Sequence, residues 1–368
     1  MGKIINLKSP TDFSGFYVIY KGSVMNEEQK NFGISHLMEH LMCKSFEKLY
    51  DDFDRYGINW NAYTSSTEIV YHITGLDEYI YKYRHELVNM LLDFNIPKKE
   101  FETERDVVIQ EYRDTFQDQG TSHYYNILRK ELGNYGPIGK IESLESLTYD
   151  DIKKYFNDYL SKPSLIINVS KNNKFEGFDV LSDKKYNKYK RVEDEKDLKI
   201  EKMADFKKSS VIGYKLVDDD FAYIKFISMM LSGSMKSPLM DEIRKKRGLT
   251  YGVSTSVYGY SYENGLLSTE LITDDDKVDE VLKTYKMVLS NPDKYLTKDR
   301  FDLIKDYYKV QFKKNEINRY NSIRHLITPD NWDLEKVIND ITYDQIRKIY
   351  DKYFLFDKLK WSIDKKDF

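Results

Sequence analysis

The sequence predicts an α+β protein made of two similar domains from an internal duplication, each a mainly antiparallel β-sheet covered by helices. Three observations carry that prediction. The chain has 368 residues, a length that suggests two domains, each large enough to bury its own core. The segment Leu147–Leu160 (LTYDDIKKYFNDYL) matches Ile341–Phe354 (ITYDQIRKIYDKYF) at six of fourteen positions, an offset of 194. A second pair of segments, beginning at Pro97 and Leu296, aligns Phe101 with Phe301 at an offset of 200. Two matches at nearly one offset indicate a repeated unit.

The elements follow in the same order in each half. Phe16–Lys21 reads as a strand and is followed by a long amphipathic helix from about Ser35 to Arg55. Strands are expected near 58–65 and 67–75, then helices near 78–93, 98–118, 121–132 and 148–160, and a strand over 164–170. In the second half a strand over 209–216 precedes a helix from Phe221 to Leu231 and a short helix through Met240–Lys246. A hairpin over 250–272 comes next, with Asn264-Gly265 supplying a pair tolerant of positive φ near its turn. Residues 181–207 are charged and lack periodicity, so they read as a linker between domains at 1–180 and 208–368.

Composition narrows the function. Lys and Arg number 58 against 61 Asp and Glu, a net charge of -3 that gives no reason to expect nucleic acid or an anionic membrane as partner. A hydrophobic content of 40% with 32% charged residues excludes disordered and collagen-like classes. The single cysteine excludes an internal disulfide and any Cys-rich zinc module. The 32 tyrosines read as the product of a biased genome. The first fifteen residues hold no apolar run of the length a signal peptide needs, and no segment approaches a bilayer span, so the expected location is cytoplasmic.

The strongest local signal is HLMEH, His36 to His40. On a helix these two histidines lie about 40° apart around the axis, with Glu39 about 60° to the other side of His36. Leu37, Met38, Leu41 and Met42 fill the opposite arc. Two imidazoles one turn apart match the bite of a tetrahedral zinc ion, and the neighbouring carboxylate can take a proton from a metal-bound water. Two of six histidines also fall into such a pattern by accident, so the motif calls for a third ligand. ERDVVIQE, Glu104 to Glu111, offers one on another helix. Seven residues make almost two turns, so both glutamates lie within the stripe of Phe101, Val108 and Tyr112 that should pack inward. Buried without a partner, a carboxylate there would be costly, and a cation with its histidines would offset the cost. Taken alone, the pair is better explained as a solvated edge of the stripe, paired with Arg105 or Lys98.

HLMEH followed some 70 residues later by ERDVVIQE resembles the inverted-motif zinc peptidases of the pitrilysin family (M16), which includes insulin-degrading enzymes and mitochondrial processing peptidases. The resemblance implies a LuxS/MPP-like metallohydrolase fold and one Zn2+ per chain. It implies that His36, His40 and Glu111 are ligands, that Glu39 is the general base, and that Glu104 is a supporting carboxylate orienting a ligand. Asn61-Ala62-Tyr63-Thr64 resembles the family's Asn-Ala-x-Thr edge strand, where an extended peptide adds by backbone pairing. Arg244 and Tyr251 in IRKKRGLTY resemble the family's Arg/Tyr pair at the same spacing, preceded by GSMKSPLMDEIR. The Gly-Thr pair that usually follows the zinc helix is replaced by Cys43-Lys44-Ser45, and the chain is shorter than is usual for two family domains. Cys43, three residues beyond His40, reads as a small buried thiol.

The activity so implied is a zinc-dependent endopeptidase acting on peptides or unfolded polypeptide. Its alternatives are a non-catalytic peptide-binding or scaffold subunit, and a processing protease with one cognate substrate. The family sets four such domains face to face. A two-domain chain therefore implies a homodimer in which Arg244 and Tyr251 of one protomer complete the site of the other, with a heterodimer of related chains as the competing arrangement.

Overall fold

The computed structural model describes residues 3–133, 135–180, 208–317, 323–327 and 330–365. The charged linker expected over 181–207 lies outside the described residues. The described chain forms two compact units. Of the described residues, the first holds those before 115, those from 128 to 180 and Ile323, and the second holds 115–127, 208–317 and 324–365.

The first unit contains β1 (Lys3–Lys8), β2 (Phe13–Lys21), β3 (Asn59–Thr64), β4 (Glu68–Leu76) and β5 (Leu165–Ser170) in the order β1-β5-β2-β4-β3. β1 runs parallel to β5, and every other pairing is antiparallel. β2 is central and buried from Ser14 to Tyr20, whereas β3 forms one edge of the sheet. The helices of this part of the chain are α1 (Ile34–Ser45), α2 (Tyr50–Tyr56), α3 (Asp77–Leu92), α4 (Lys98–Thr115), α5 (Gln119–Leu132), α6 (Ile141–Ser146) and α7 (Tyr149–Tyr155).

The second unit contains β6 (Ser209–Val217), β7 (Ser254–Gly259), β8 (Gly265–Thr273) and β9 (Lys360–Asp364), all antiparallel, in the order β7-β8-β6-β9. Without β1, the first sheet reads β3-β4-β2-β5, the same permutation. Helices α8 (Phe221–Ser232), α9 (Val278–Leu289), α10 (Pro292–Tyr295) and α11 (Lys298–Ile317) precede the helix Tyr343–Tyr353.

The repeat extends to individual bonds. Thr148 caps α7 in a reciprocal box with Asp151, and Thr342 caps its counterpart in a box with Gln345. The hydroxyl of Tyr149 donates to the Ile96 carbonyl, as that of Tyr343 does to Leu296. Each of these tyrosines lies beside the aligned phenylalanine, Phe101 at 6.0 Å and Phe301 at 5.9 Å between ring centroids. Arg105 donates to the Leu147 carbonyl and Lys305 to that of Ile341. The two copies diverge at the candidate site: at the offset of 200, Ile304 stands for Glu104 and Gln311 for Glu111. α8, which follows β6 as α1 follows β2, carries neither His nor Glu.

Several elements differ from the expectation. The helix expected over 35–55 stops at Ser45, where Phe46 leaves helical geometry (φ -111°) and turns its ring into the core against Trp60 and Tyr71. α2 then restarts after a short turn. β1, α6 and β9 are additional. The segment 115–127 packs with the second unit because its polar side chains are bonded there. Gln119 Nε2 donates to the carbonyls of Lys208 and Asp364, and the His123 ring lies between Ser210 Oγ on β6 and Ser362 Oγ on β9. Among the described residues no helix is long and apolar enough to cross a membrane.

Candidate metal centre

α1 is fixed at its start. Gly33 (φ +98°) and Gly139 (φ +76°) meet so closely that a Cβ on Gly139 would lie 2.4 Å from Gly33 Cα. The buried Glu27 carboxylate accepts the backbone N–H of Gly33 and of Ser35, each at 2.9 Å, satisfying donors that the first turn leaves free. Burial outweighs these bonds and pushes the Glu27 carboxyl up to about 7. Ile34, Leu37, Met38, Leu41 and Met42 are buried on one face of α1, which turns His36, Glu39 and His40 to the other.

α4 brings the carboxylates. Phe101, Val108 and Tyr112 form its buried stripe; the Glu104 side chain, 8% exposed, lies within it, and Glu111, 45% exposed, lies at its edge. His36 Nε2 is 3.5 Å and His40 Nε2 3.6 Å from Glu111 Oε2. One ligand atom from each of the three residues can be chosen so that all lie within 4.8 Å of one another. Ligands bound tetrahedrally to zinc at 2.0–2.1 Å stand about 3.3–3.4 Å apart, so the histidine–glutamate separations are close to those of a zinc site.

The surroundings favour the ligating forms. Burial, with a smaller contribution from His40, lowers His36 to about 4, so its ring is neutral near pH 7 and offers a lone pair. His40 Nδ1 lies 3.2 Å from Glu104 Oε2, an arrangement that holds the ring with Nε2 toward Glu111. Lys44 Nζ stands 3.4 Å from the other Glu104 oxygen and 3.0 Å from Glu47 Oε1. His36 Nδ1 is buried without a hydrogen-bond partner among the described residues. Two imidazoles and a carboxylate, with a second carboxylate behind one ring, fit zinc by donor chemistry.

Glu39 accepts a hydrogen bond from Thr64 Oγ1 at 2.8 Å. Burial pushes its carboxyl above the usual range, opposed by the Thr64 bond and by His40, while Glu111 adds to the rise. Burial pushes the Cys43 thiol up as well, helped by Glu39 and Glu104, so the sulfur stays protonated and does not compete as a thiolate ligand.

Asn61, Ala62, Tyr63 and Thr64 lie on β3, an edge strand that pairs with β4 alone among the described residues, and the Ala62 N–H donates to Asn61 Oδ1 at 3.0 Å. In the second unit the Arg244 guanidinium stacks over the Tyr251 ring at 4.4 Å from its centroid, and Tyr251 is 86% exposed. The turn that carries Arg244 is braced by Glu242, which accepts from Arg247 Nη1 at 2.6 Å and Lys246 Nζ at 2.8 Å. Burial raises the Glu242 carboxyl, but hydrogen bonds from Lys246, Arg247 and Tyr295 outweigh it and bring it down to about 2. The sequence reading missed Glu27, Lys44 and the Thr64 hydroxyl. Lys44 was within reach, four residues beyond His40 on the same helix, and Thr64 stood in the Asn-Ala-x-Thr segment though nothing there pointed its hydroxyl at Glu39; Glu27 carries no local pattern.

Residues 4–134 match the family described as Insulinase (Peptidase family M16), and residues 148–308 match the Peptidase M16 inactive domain. The chain is similar to YmxG of Bacillus subtilis, described as an uncharacterized zinc protease, with 26% identity over 314 residues, 78% of this chain and 75% of that one. An uncharacterized zinc protease of Rickettsia felis is 22% identical over 359 residues, 89% of this chain and 86% of its own. The fold matches a crystal structure of a protease from Helicobacter pylori with a TM-score of 0.82 at 19% identity, covering 98% of this chain and 96% of that one.

Proposed function

The chain belongs to peptidase family M16, and on that premise we propose that it is a zinc-dependent endopeptidase cleaving peptides or unfolded polypeptide segments. The observation that carries the proposal is the convergence of His36, His40 and Glu111 within 4.8 Å, beside a Glu39 held by Thr64. His36, His40 and Glu111 would hold one Zn2+ per chain, with Glu104 orienting His40. Zinc, when bound, supplies Lewis acidity toward water and toward a carbonyl oxygen.

The chain's own residues do the rest. Glu39 takes the proton of the attacking water and passes it to the leaving amine, and its buried setting raises its basicity toward that task. The open edge of β3 pairs with the main chain of an extended peptide, which favours substrates without fixed structure and places little weight on side chains. Arg244 and Tyr251 donate hydrogen bonds to the substrate carbonyl or to the oxyanion that develops on it. In our reading they come from a second copy of the chain, so the active species is a homodimer of about twice 43.9 kDa with two equivalent sites. The second unit has Ile304 and Gln311 where Glu104 and Glu111 would stand, which supports one zinc site per chain.

The test compares wild type with Glu39→Gln on a mixed peptide library, with zinc measured alongside. The proposal expects zinc to be retained and cleavage to fall by a factor of about 10²–10⁴. Equal cleavage by both proteins would remove Glu39 from the chemistry.

A further inference from the structure

We infer that the Thr64 side chain is a positioning residue for Glu39, so that the strand offering its edge to a peptide also sets the orientation of the base. This rests on the reading of Glu39 as the base and adds to it a role for a hydroxyl that the resemblance used only as part of a docking strand.

The observations are local and mutually supporting. Thr64 Oγ1 donates to Glu39 Oε2 at 2.8 Å, an ordinary hydroxyl–carboxylate hydrogen bond to a partly buried group. No other hydrogen bond reaches the Glu39 side chain among the described residues, so Oε1 stays available for a proton while Oε2 is held. Thr64 is itself fixed by main chain. It is the last residue of β3, opposite Ile69 of β4, and the turn that follows is closed by Ser65 N–H to the Glu68 carbonyl at 2.8 Å. Ser65 Oγ also accepts the N–H groups of Thr67 and Glu68. The Thr67 carbonyl takes the Gly22 N–H at the end of β2 at 2.6 Å. The donor therefore stands on an edge strand anchored by backbone hydrogen bonds, whereas Glu39 hangs on three flexible torsions from α1.

A carboxylate held at one oxygen loses the rotation that would carry the other away from the reacting water, and misplacement of a catalytic group by about 1 Å costs roughly a hundredfold in rate. The hydroxyl can stay bonded to Oε2 while Oε1 gains and then gives up the proton, so the orientation persists through both transfers.

The test uses the full-length, zinc-loaded protein and a single peptide substrate. Thr64→Val keeps the shape and the β-branch but removes the donor; Thr64→Ser keeps the donor. We expect T64V to lower kcat by roughly ten- to a hundredfold with KM within about twofold, and T64S to recover most of the loss. Zinc content and thermal midpoint should stay close to wild type in both. In an E39Q background, T64V should cost nothing further in residual turnover, because a positioning residue acts through the group it positions. Unchanged kcat in T64V, an equal loss in T64S, a loss confined to KM, or a further loss in the E39Q background would each overturn the inference. The reading of Glu39 fails separately, when E39Q alone cleaves as fast as wild type.

Discussion

His40 Nδ1 and Glu104 Oε2 stand 3.2 Å apart, joining α1 to α4 through a carboxylate that is almost wholly buried. That contact holds the second imidazole with its Nε2 3.6 Å from Glu111, and in the proposed site it makes Glu104 a support for a ligand. Glu104→Gln keeps the volume and removes the charge. Zinc affinity, read by competition with a chelator, should fall by about 10–100-fold without loss of the fold. Unaltered affinity would reduce Glu104 to a packing group.

Gly139 gives a second prediction. With φ +76° and the Gly33 backbone in the space a Cβ would fill, Gly139→Ala must push away the start of α1. Stability should drop by about 2 kcal/mol or more, and zinc affinity should drop with it, because His36 lies three residues beyond Gly33. Urea unfolding of the apoprotein together with chelator competition checks both, and a stable variant with weakened zinc binding would show that only the helix entry had moved.

Burial lowers His72 on β4 to about 4, against about 6.5 for a free imidazole. The unfolded chain therefore binds the proton more readily than the folded one. The stability tied to neutral His72 is present above about pH 6.5 and is lost progressively as the pH falls toward 4. Between pH 7 and pH 5 the loss should be about 1–2 kcal/mol. His72→Phe, which keeps the ring that stacks on Tyr17, should remove that part of the slope. Denaturant midpoints of the apoproteins at the two pH values measure it, and identical slopes would show that His72 does not titrate in this window.

Tyr251 is the most exposed of the large hydrophobic side chains among the described residues, and Arg244 stacks on its ring. If its hydroxyl serves the developing oxyanion, Tyr251→Phe should lower kcat by about 10²–10³ with zinc content unchanged. Mixing Tyr251→Phe with Glu39→Gln should restore part of the activity, since in a homodimer one of the two sites in each mixed pair regains a complete set. Absence of any recovery on mixing would argue against sites shared between copies.

Much of this was legible in the sequence because it follows from period and spacing. The i, i+4 histidines and the two glutamates seven apart share helix faces whatever the rest of the chain does, and the structure brings those faces together. The duplication was legible because Leu147–Leu160 and Ile341–Phe354 share six of fourteen residues and Phe101 aligns with Phe301; the capping boxes begun by Thr148 and Thr342 then came out alike in the fold. Contacts fixed only by tertiary packing were not. The helix expected over 35–55 breaks because Phe46 is worth more in the core than in another helical turn, a preference no periodicity reveals. The 115–127 segment reads as part of the first half, yet Gln119 bonds Lys208, just before β6, and Asp364 on β9, and His123 lies between Ser210 on β6 and Ser362 on β9. Thr64 reaches Glu39 across 25 residues of sequence, and although Thr64 ends the Asn-Ala-x-Thr segment, nothing local pairs its hydroxyl with that carboxylate.

The proposed activity depends on one divalent ion held by three side chains from α1 and α4. Its most direct measurement is the zinc content of protein purified without chelator, for wild type and for His36→Ala, His40→Ala and Glu111→Ala. One zinc per chain in the wild type, with each variant depleted, is the predicted result; a metal-free wild type, or variants that keep the full complement, would contradict it.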